Sequence, residues 1–199
     1  MKNKVFSALI AVPLLLSSTS AFAAEDGFDI QVVDTKSKAY VDTNGKSVSE
    51  YTKFNKEGKV IEASYTVEGA ASPISTGGDY SAYASSKPYW SANSSVSRQF
   101  EKGFPQARIY ANGKSASYTS SKQSSYKSIK KIGVKTTLLF GQQVENTGSS
   151  TLSNASIANA SAKQKNARIP TANSYSQSTH TFVQPGYKSW YPTTKKNGY

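Results

Sequence analysis

Hydrophobic and polar positions alternate most regularly between Val60 and Val67. Ile61, Ala63, Tyr65 and Val67 fall on one side, and Glu62, Ser64 and Thr66 on the other. A period of two predicts a half-buried strand. The run Val134-Lys135-Thr136-Thr137-Leu138-Leu139-Phe140, ended by Gly141, predicts a second. Shorter β-prone pieces occur at Gln31 to Val33, Ala39 to Val41, Ala107 to Tyr110, Lys114 to Thr119 and Thr179 to Val183. Turn chemistry punctuates them. Asn44-Gly45 and Asn55-Lys56-Glu57-Gly58 mark two tight turns, Asn112-Gly113 predicts a hairpin between its flanking pieces, and Pro185-Gly186 marks another turn.

Two stretches break the pattern. Gly69 to Ser97 is rich in Ser, Ala, Gly, Pro and Tyr without a sustained period, which predicts a long loop. Asn146 to Ala162 holds only Leu152 and Ile157 among Ser, Ala and Asn, so its period stays open between a helix and a polar strand. No internal repeat appears at a fixed spacing.

Composition supports the β reading. From Ala24 onward, 21 Ile, Leu and Val residues stand beside 21 aromatics, of which 13 are Tyr and only three of the aliphatics are Leu. Tyr, Val, Ile and Thr suit a pleated surface, and Ser, Asn and Gly suit turns. The expectation is an all-β or β-dominated antiparallel domain, a meander or sandwich, with long Ser/Gly/Tyr-rich loops. The first 23 residues read differently. Lys2 and Lys4, the apolar run Val5 to Leu16 and the small-x-small triplet Ala21-Phe22-Ala23 have the form of a secretory leader. The run is shorter than the roughly 20 residues of a membrane-crossing helix. Cleavage near Ala23 is expected, leaving residues 24–199 as one β-rich domain outside the cytoplasm, secreted or wall-associated and of bacterial style. The chain has no cysteine, so disulfides and thiolate metal sites are excluded, and one histidine gives a transition-metal centre or another cofactor little to bind.

Charge divides the chain. Residues 24–101 carry 11 acidic and 8 basic side chains, whereas residues 102–199 carry 14 basic ones and a single carboxylate, Glu145. A block so poor in acids cannot neutralise its own lysines, and such a field attracts polyanions. Two sets of residues are candidates for that contact. One is a pair of aromatic-basic clusters, Lys87-Pro88-Tyr89-Trp90 and Tyr187-Lys188-Ser189-Trp190-Tyr191-Pro192, whose flat rings suit stacking on a sugar or a base beside a cation. The competing reading makes both tryptophans core anchors. The other set is Lys122, Lys127, Lys130, Lys131 and Lys135, interleaved with Tyr118 and Tyr126, which suit a phosphate-bearing backbone; lysines also guard exposed strand edges. Arginine is scarce, which argues against reading of base sequence.

Catalysis has little support in the sequence. His180 lies in Ser178-Thr179-His180-Thr181-Phe182 without a nucleophile elbow, and no spacing selects a pair among Asp29, Asp34, Glu62, Glu68, Asp79 and Glu101. The expected function is non-enzymatic binding of an anionic polymer or cell-envelope surface: teichoic acid, acidic polysaccharide, extracellular DNA or anionic lipid. The alternatives are a cationic toxin acting on the membranes of neighbouring cells and a polysaccharide-active enzyme.

Overall fold

Ten antiparallel strands form two sheets in the computed structural model, which describes residues 32–74, 87–100, 107–166 and 174–198. The leader, and with it the expected cleavage point, lies outside these residues. The strands are β1 (Asp34–Val41), β2 (Ser47–Phe54), β3 (Val60–Ala70), β4 (Tyr89–Phe100), β5 (Ala107–Tyr118), β6 (Ile129–Phe140), β7 (Gln143–Ala155), β8 (Ile157–Lys163), β9 (Ser174–Val183) and β10 (Thr193–Asn197). One sheet has the order β1-β2-β3-β4-β5-β8 and the other β10-β9-β6-β7. They pack as a sandwich, so the expected fold class is the observed one. The chain changes sheets within two residues, between the end of β7 and the start of β8. Away from that corner the two strands still approach closely, because a Cβ on Gly148 in the middle of β7 would collide with the Ser161 carbonyl of β8.

The first two hairpins are built alike. Asp42 Oδ1 accepts from the amides of Asn44 (2.9 Å) and Lys46 (2.8 Å), and Asn55 Oδ1 accepts from Glu57 (3.0 Å) and Lys59 (2.9 Å). Each turn then uses a left-handed glycine, Gly45 and Gly58, both at φ 71°. An Asx side chain that mimics the backbone, followed by glycine, closes the turn without help from the core. By contrast, β1 is exposed along its full length, and no strand pairs its outer edge among the described residues.

Asn112-Gly113 forms no turn. Residues 107–118 run as one strand, and Gly113 faces the opposite sheet, where a Cβ would collide with Thr136 Oγ1 and lie 2.7 Å from Ser178 Oγ. The glycine serves close approach of the sheets rather than positive φ. Around it, short hydroxyl side chains predominate: Ser94 Oγ lies 2.7 Å from Ser176 Oγ, Ser178 Oγ 3.0 Å from Thr136 Oγ1, and Ser115 Oγ donates to Gly133 O at 2.7 Å. This polar waist separates two apolar lobes. One contains Val48, Val67, Trp90, Ile129, Ile132, Val134 and Phe182, and the other Ala63, Val96, Ile109, Ala111, Leu138 and Ala162.

The waist explains a second departure from the sequence pattern. Residues 89–97, expected as part of a loop, belong to the central strand β4. Its inward positions Trp90, Ala92, Ser94 and Val96 are all buried, but two of the four are small or polar and hide the alternation. Residues 75–86 of that stretch lie outside the described residues. Asn146 to Ala162, left open between helix and strand, supplies most of β7 and nearly all of β8.

Candidate functional site

On β6, Ile132, Val134, Thr136 and Leu138 are buried, which turns Lys131, Gly133, Lys135 and Thr137 to the outside. Register carries this outward face across the four-stranded sheet. Thr147, Thr137, Gln177 and Lys195 form one row, and Ser149, Lys135, Thr179 and Thr193 the next. Thr151, Gly133 and Thr181 follow, then Ser153, Lys131 and Val183. Gly133 leaves room for Thr151, whose Oγ1 would be 2.8 Å from a Cβ there. Lys131 and Lys135 are about 13 Å apart at the strand repeat, and Lys195 stands two strands from β6, about 10 Å across. The ammonium of Lys195 lies 3.9 Å from the Tyr175 ring centroid.

Among the described residues this face holds no carboxylate. Glu145, on β7, turns its Oε1 to the backbone amide of Lys165 at 3.1 Å, beyond the end of β8. Lys131, Lys135 and Lys195 form no ion pair among the described residues. The face therefore presents three cations over rows of serine and threonine hydroxyls; Lys195, at its edge, also lines a hollow with Glu50, whose carboxylate is held by Lys196 at 2.7 Å.

The five clustered lysines of the sequence do not share one surface. Lys131 and Lys135 lie on this face, and Lys130 is exposed at the start of β6, its amide donating to Gln184 Oε1 at 2.9 Å. Lys122 and Lys127 belong to the β5–β6 connection on the side of the other sheet. Gln123 Nε2 donates to both oxygens of Glu68 at 2.8 Å, and the Lys127 amide to Ser117 O at 2.8 Å. Tyr126 of the same connection stacks on Tyr118 at 5.0 Å.

The two aromatic-basic clusters meet inside the sandwich. Trp90 and Trp190 stack with centroids 6.3 Å apart, each also against Phe182, at 5.4 and 5.2 Å. Trp90 is 1% exposed and so offers no ring face to a ligand; Trp190 is half-buried. The cation over Trp190 is Lys46, at 5.2 Å, and comes from neither cluster. Lys87, Lys188 and Tyr191 are exposed, and Tyr89 is half-buried. The Lys188 amide donates to Ser72 O at 2.8 Å, fixing the second cluster to the segment after β3.

His180 is buried in the waist. Ser115 uses its proton on Gly133 O, so it accepts from His180 Nδ1–H at 2.9 Å, and Thr194 Oγ1 lies 2.8 Å from Nε2. That fixes a neutral ring with Thr194 donating. Burial depresses its pKa to about 3. Ser, His and Thr thus form a chain in which, among the described residues, no carboxylate supports a charged ring, and His180 itself is 2% exposed. Glu62 and Glu68 share the outer face of β3 six residues apart, about 20 Å along a strand, wider than a hydrolytic carboxylate pair. Asp29, Asp79 and Glu101 lie outside the described residues.

Sequence reasoning passed over Lys195 and the threonine rows. The signal was present in Thr193-Thr194-Lys195-Lys196, where alternation sends one lysine out and the other in, to Glu50 at 2.7 Å. The chain matches no known protein family, no curated protein and no solved structure.

Proposed function

We propose that the protein works outside the cytoplasm as a non-enzymatic binder of an anionic polymer, held by the outer face of the four-stranded sheet. The observation that carries this reading is the set Lys131, Lys135 and Lys195 over serine and threonine hydroxyls, without a carboxylate among them. Lysines supply point charges for phosphate or carboxylate groups, and the hydroxyls donate to the same oxygens. A flat sheet suits a long, repetitive ligand better than a compact one. The rows contain no arginine fork and one aromatic ring, Tyr175 at the corner, so the recognition is of charge and spacing rather than of bases.

Retention on a polyphosphate or teichoic-acid column across a salt gradient tests the reading. Three phosphate contacts correspond to a log–log salt slope of about 2–3. The K131Q/K135Q/K195Q variant is expected to elute at distinctly lower salt than the parent. A K122Q/K127Q variant, altered on the other side, is expected to elute with the parent. Equal losses in both would assign retention to diffuse charge and overturn the proposal. Dye release from anionic vesicles at matched concentration would instead favour the membrane-active alternative.

A further inference from the structure

The six-stranded sheet carries a second, chemically different concavity. Asn93 on β4, Asn112 and Lys114 on β5, and Asn159 and Ser161 on β8 surround a trough of about 400 Å³, at the small end of ligand sites. Its origin lies in the waist. The sheet approaches its partner tightly at Gly113, and Gly113 and Ala160 form part of the trough lining. The inward approach at the glycine thus coincides with the hollow on the outer face.

Hydrogen bonds set the orientation of the amides. Asn93 Nδ2 donates to Ser64 Oγ at 2.6 Å and Thr66 Oγ1 at 2.8 Å, so its carbonyl oxygen is the group left for a ligand. Asn112 is the reverse: its Oδ1 accepts from Ser161 Oγ at 2.7 Å, leaving the Nδ2 protons. Lys114 stands between them in register, opposite Asn93 on one side and Asn159 on the other. It is half-buried and has no ion-pair partner among the described residues. The nearest carboxylate in the register, Glu68, is engaged by Gln123 and by Ser91 Oγ at 2.7 Å.

One acceptor, one donor and one cation along a shallow trough whose remaining lining is largely apolar, with Gly113 and Ala160 in its floor, fit a particular chemistry. We propose that this trough binds a single pyranose residue bearing an anionic substituent, a uronate or a sugar phosphate. Ring hydroxyls meet the Asn93 carbonyl and the Asn112 amide, and the substituent meets Lys114. A carboxamide can give or take a hydrogen bond with each hydroxyl, which is what a sugar ring demands and a simple anion does not. The site is independent of the lysine face on the other sheet.

Titration of the intact ¹⁵N-labelled protein with glucuronate, glucose 6-phosphate and glucose, each alone, tests this. At least one acidic sugar is expected to shift the side-chain amides of Asn93 and Asn112 saturably, and about tenfold more tightly than glucose. The tighter of the two acids names the substituent. Lys114→Gln is expected to bring the acidic sugar down to the glucose level with the rest of the spectrum unchanged, and K131Q/K135Q/K195Q to leave the titration as it was. Absence of saturation with either acid by roughly 50 mM would overturn the proposal. So would equal binding of glucose, persistence of tight binding in Lys114→Gln, or loss of the shifts in the triple variant.

Discussion

The outer faces of the two sheets treat lysine in opposite ways. On the six-stranded sheet Lys53 pairs with Glu62 at 2.9 Å, and Tyr51 donates to the same carboxylate; burial first, and then that bond, push the tyrosine pKa up. In the turn between β2 and β3, Lys59 pairs with Glu57 at 2.8 Å. On the four-stranded sheet the strand neighbours of Lys131, Lys135 and Lys195 are serine, threonine, glutamine, valine and glycine, with Tyr175 and, at the edge, Glu50 also beside Lys195. A lysine beside a carboxylate is part of a surface at balance; a lysine beside a hydroxyl keeps its field for something else. Net charge alone, +12 for the whole chain, does not distinguish the two.

Acid offers the largest perturbation of this contrast, because it neutralises the carboxylates of one face while leaving the lysines of the other. The interior limits how far it can be taken. An unfolded chain takes up a proton on His180 below pH 6.5, whereas the folded one resists until about pH 3. Stability is therefore full above pH 6.5 and falls as pH drops toward 3, by on the order of 5 kcal/mol. Glu50, held below its ordinary pKa first by its hydrogen bond to Lys196, acts in the same direction, starting near pH 4.5. Urea midpoints between pH 7 and 4.5 are expected to fall in the parent and to flatten in His180→Gln. Parallel slopes would show that the histidine is not the source.

Removing the cations comes next in size. K131Q/K135Q/K195Q is expected to lose about 10- to 100-fold in polyanion affinity at low salt, and Lys53→Gln to lose none, measured by column retention or fluorescence titration. A similar loss in Lys53→Gln would erase the distinction between the faces. Smaller again is the opposite operation, supplying the missing acid. Thr179→Glu, opposite Lys135 and Thr193, is expected to reduce binding several-fold with the fold retained, since cross-strand ion pairs contribute only about 0.2–1 kcal/mol. An unchanged affinity would show that Lys135 takes no part. The least effect is expected for Glu62→Gln, which frees Lys53 on the balanced face: a change in stability of about 1 kcal/mol or less and a slight gain in polyanion retention.

Much of the fold was legible where side chains are large and alternate. Ile61, Ala63, Tyr65 and Val67 face inward as their period requires, and Asn44-Gly45 and Asn55 to Gly58 turn where expected because the turn is local chemistry. The polar waist was not legible. Ser94, Ser115, Thr136, Ser176 and Ser178 are buried hydroxyls, which in sequence look like surface or loop. Asn112-Gly113 carried a turn signal that close sheet packing overrode. The candidate site was legible in part. Lys131 and Lys135 stood out by density, but a chain that leaves a loop and enters a strand separates them from Lys122 and Lys127. Lys195 reaches the same face only through strand pairing, which no local pattern records. The two tryptophan clusters meet because the sheets pack face to face and set Trp90 of β4 against Phe182 of β9, a contact between distant parts of the chain, while the Phe182–Trp190 bridge spans only eight residues.

The bare outer edge of β1 has a consequence for self-association. The sandwich is shut where β7 meets β8 and open along eight residues at the far end of the larger sheet. Lys36 and Lys38 stand there as guards, each folded over an aromatic ring, Phe54 and Tyr40. Among the described residues that edge has no partner strand, and a pairing of two molecules through their β1 edges alone would use up both edges and end at two copies.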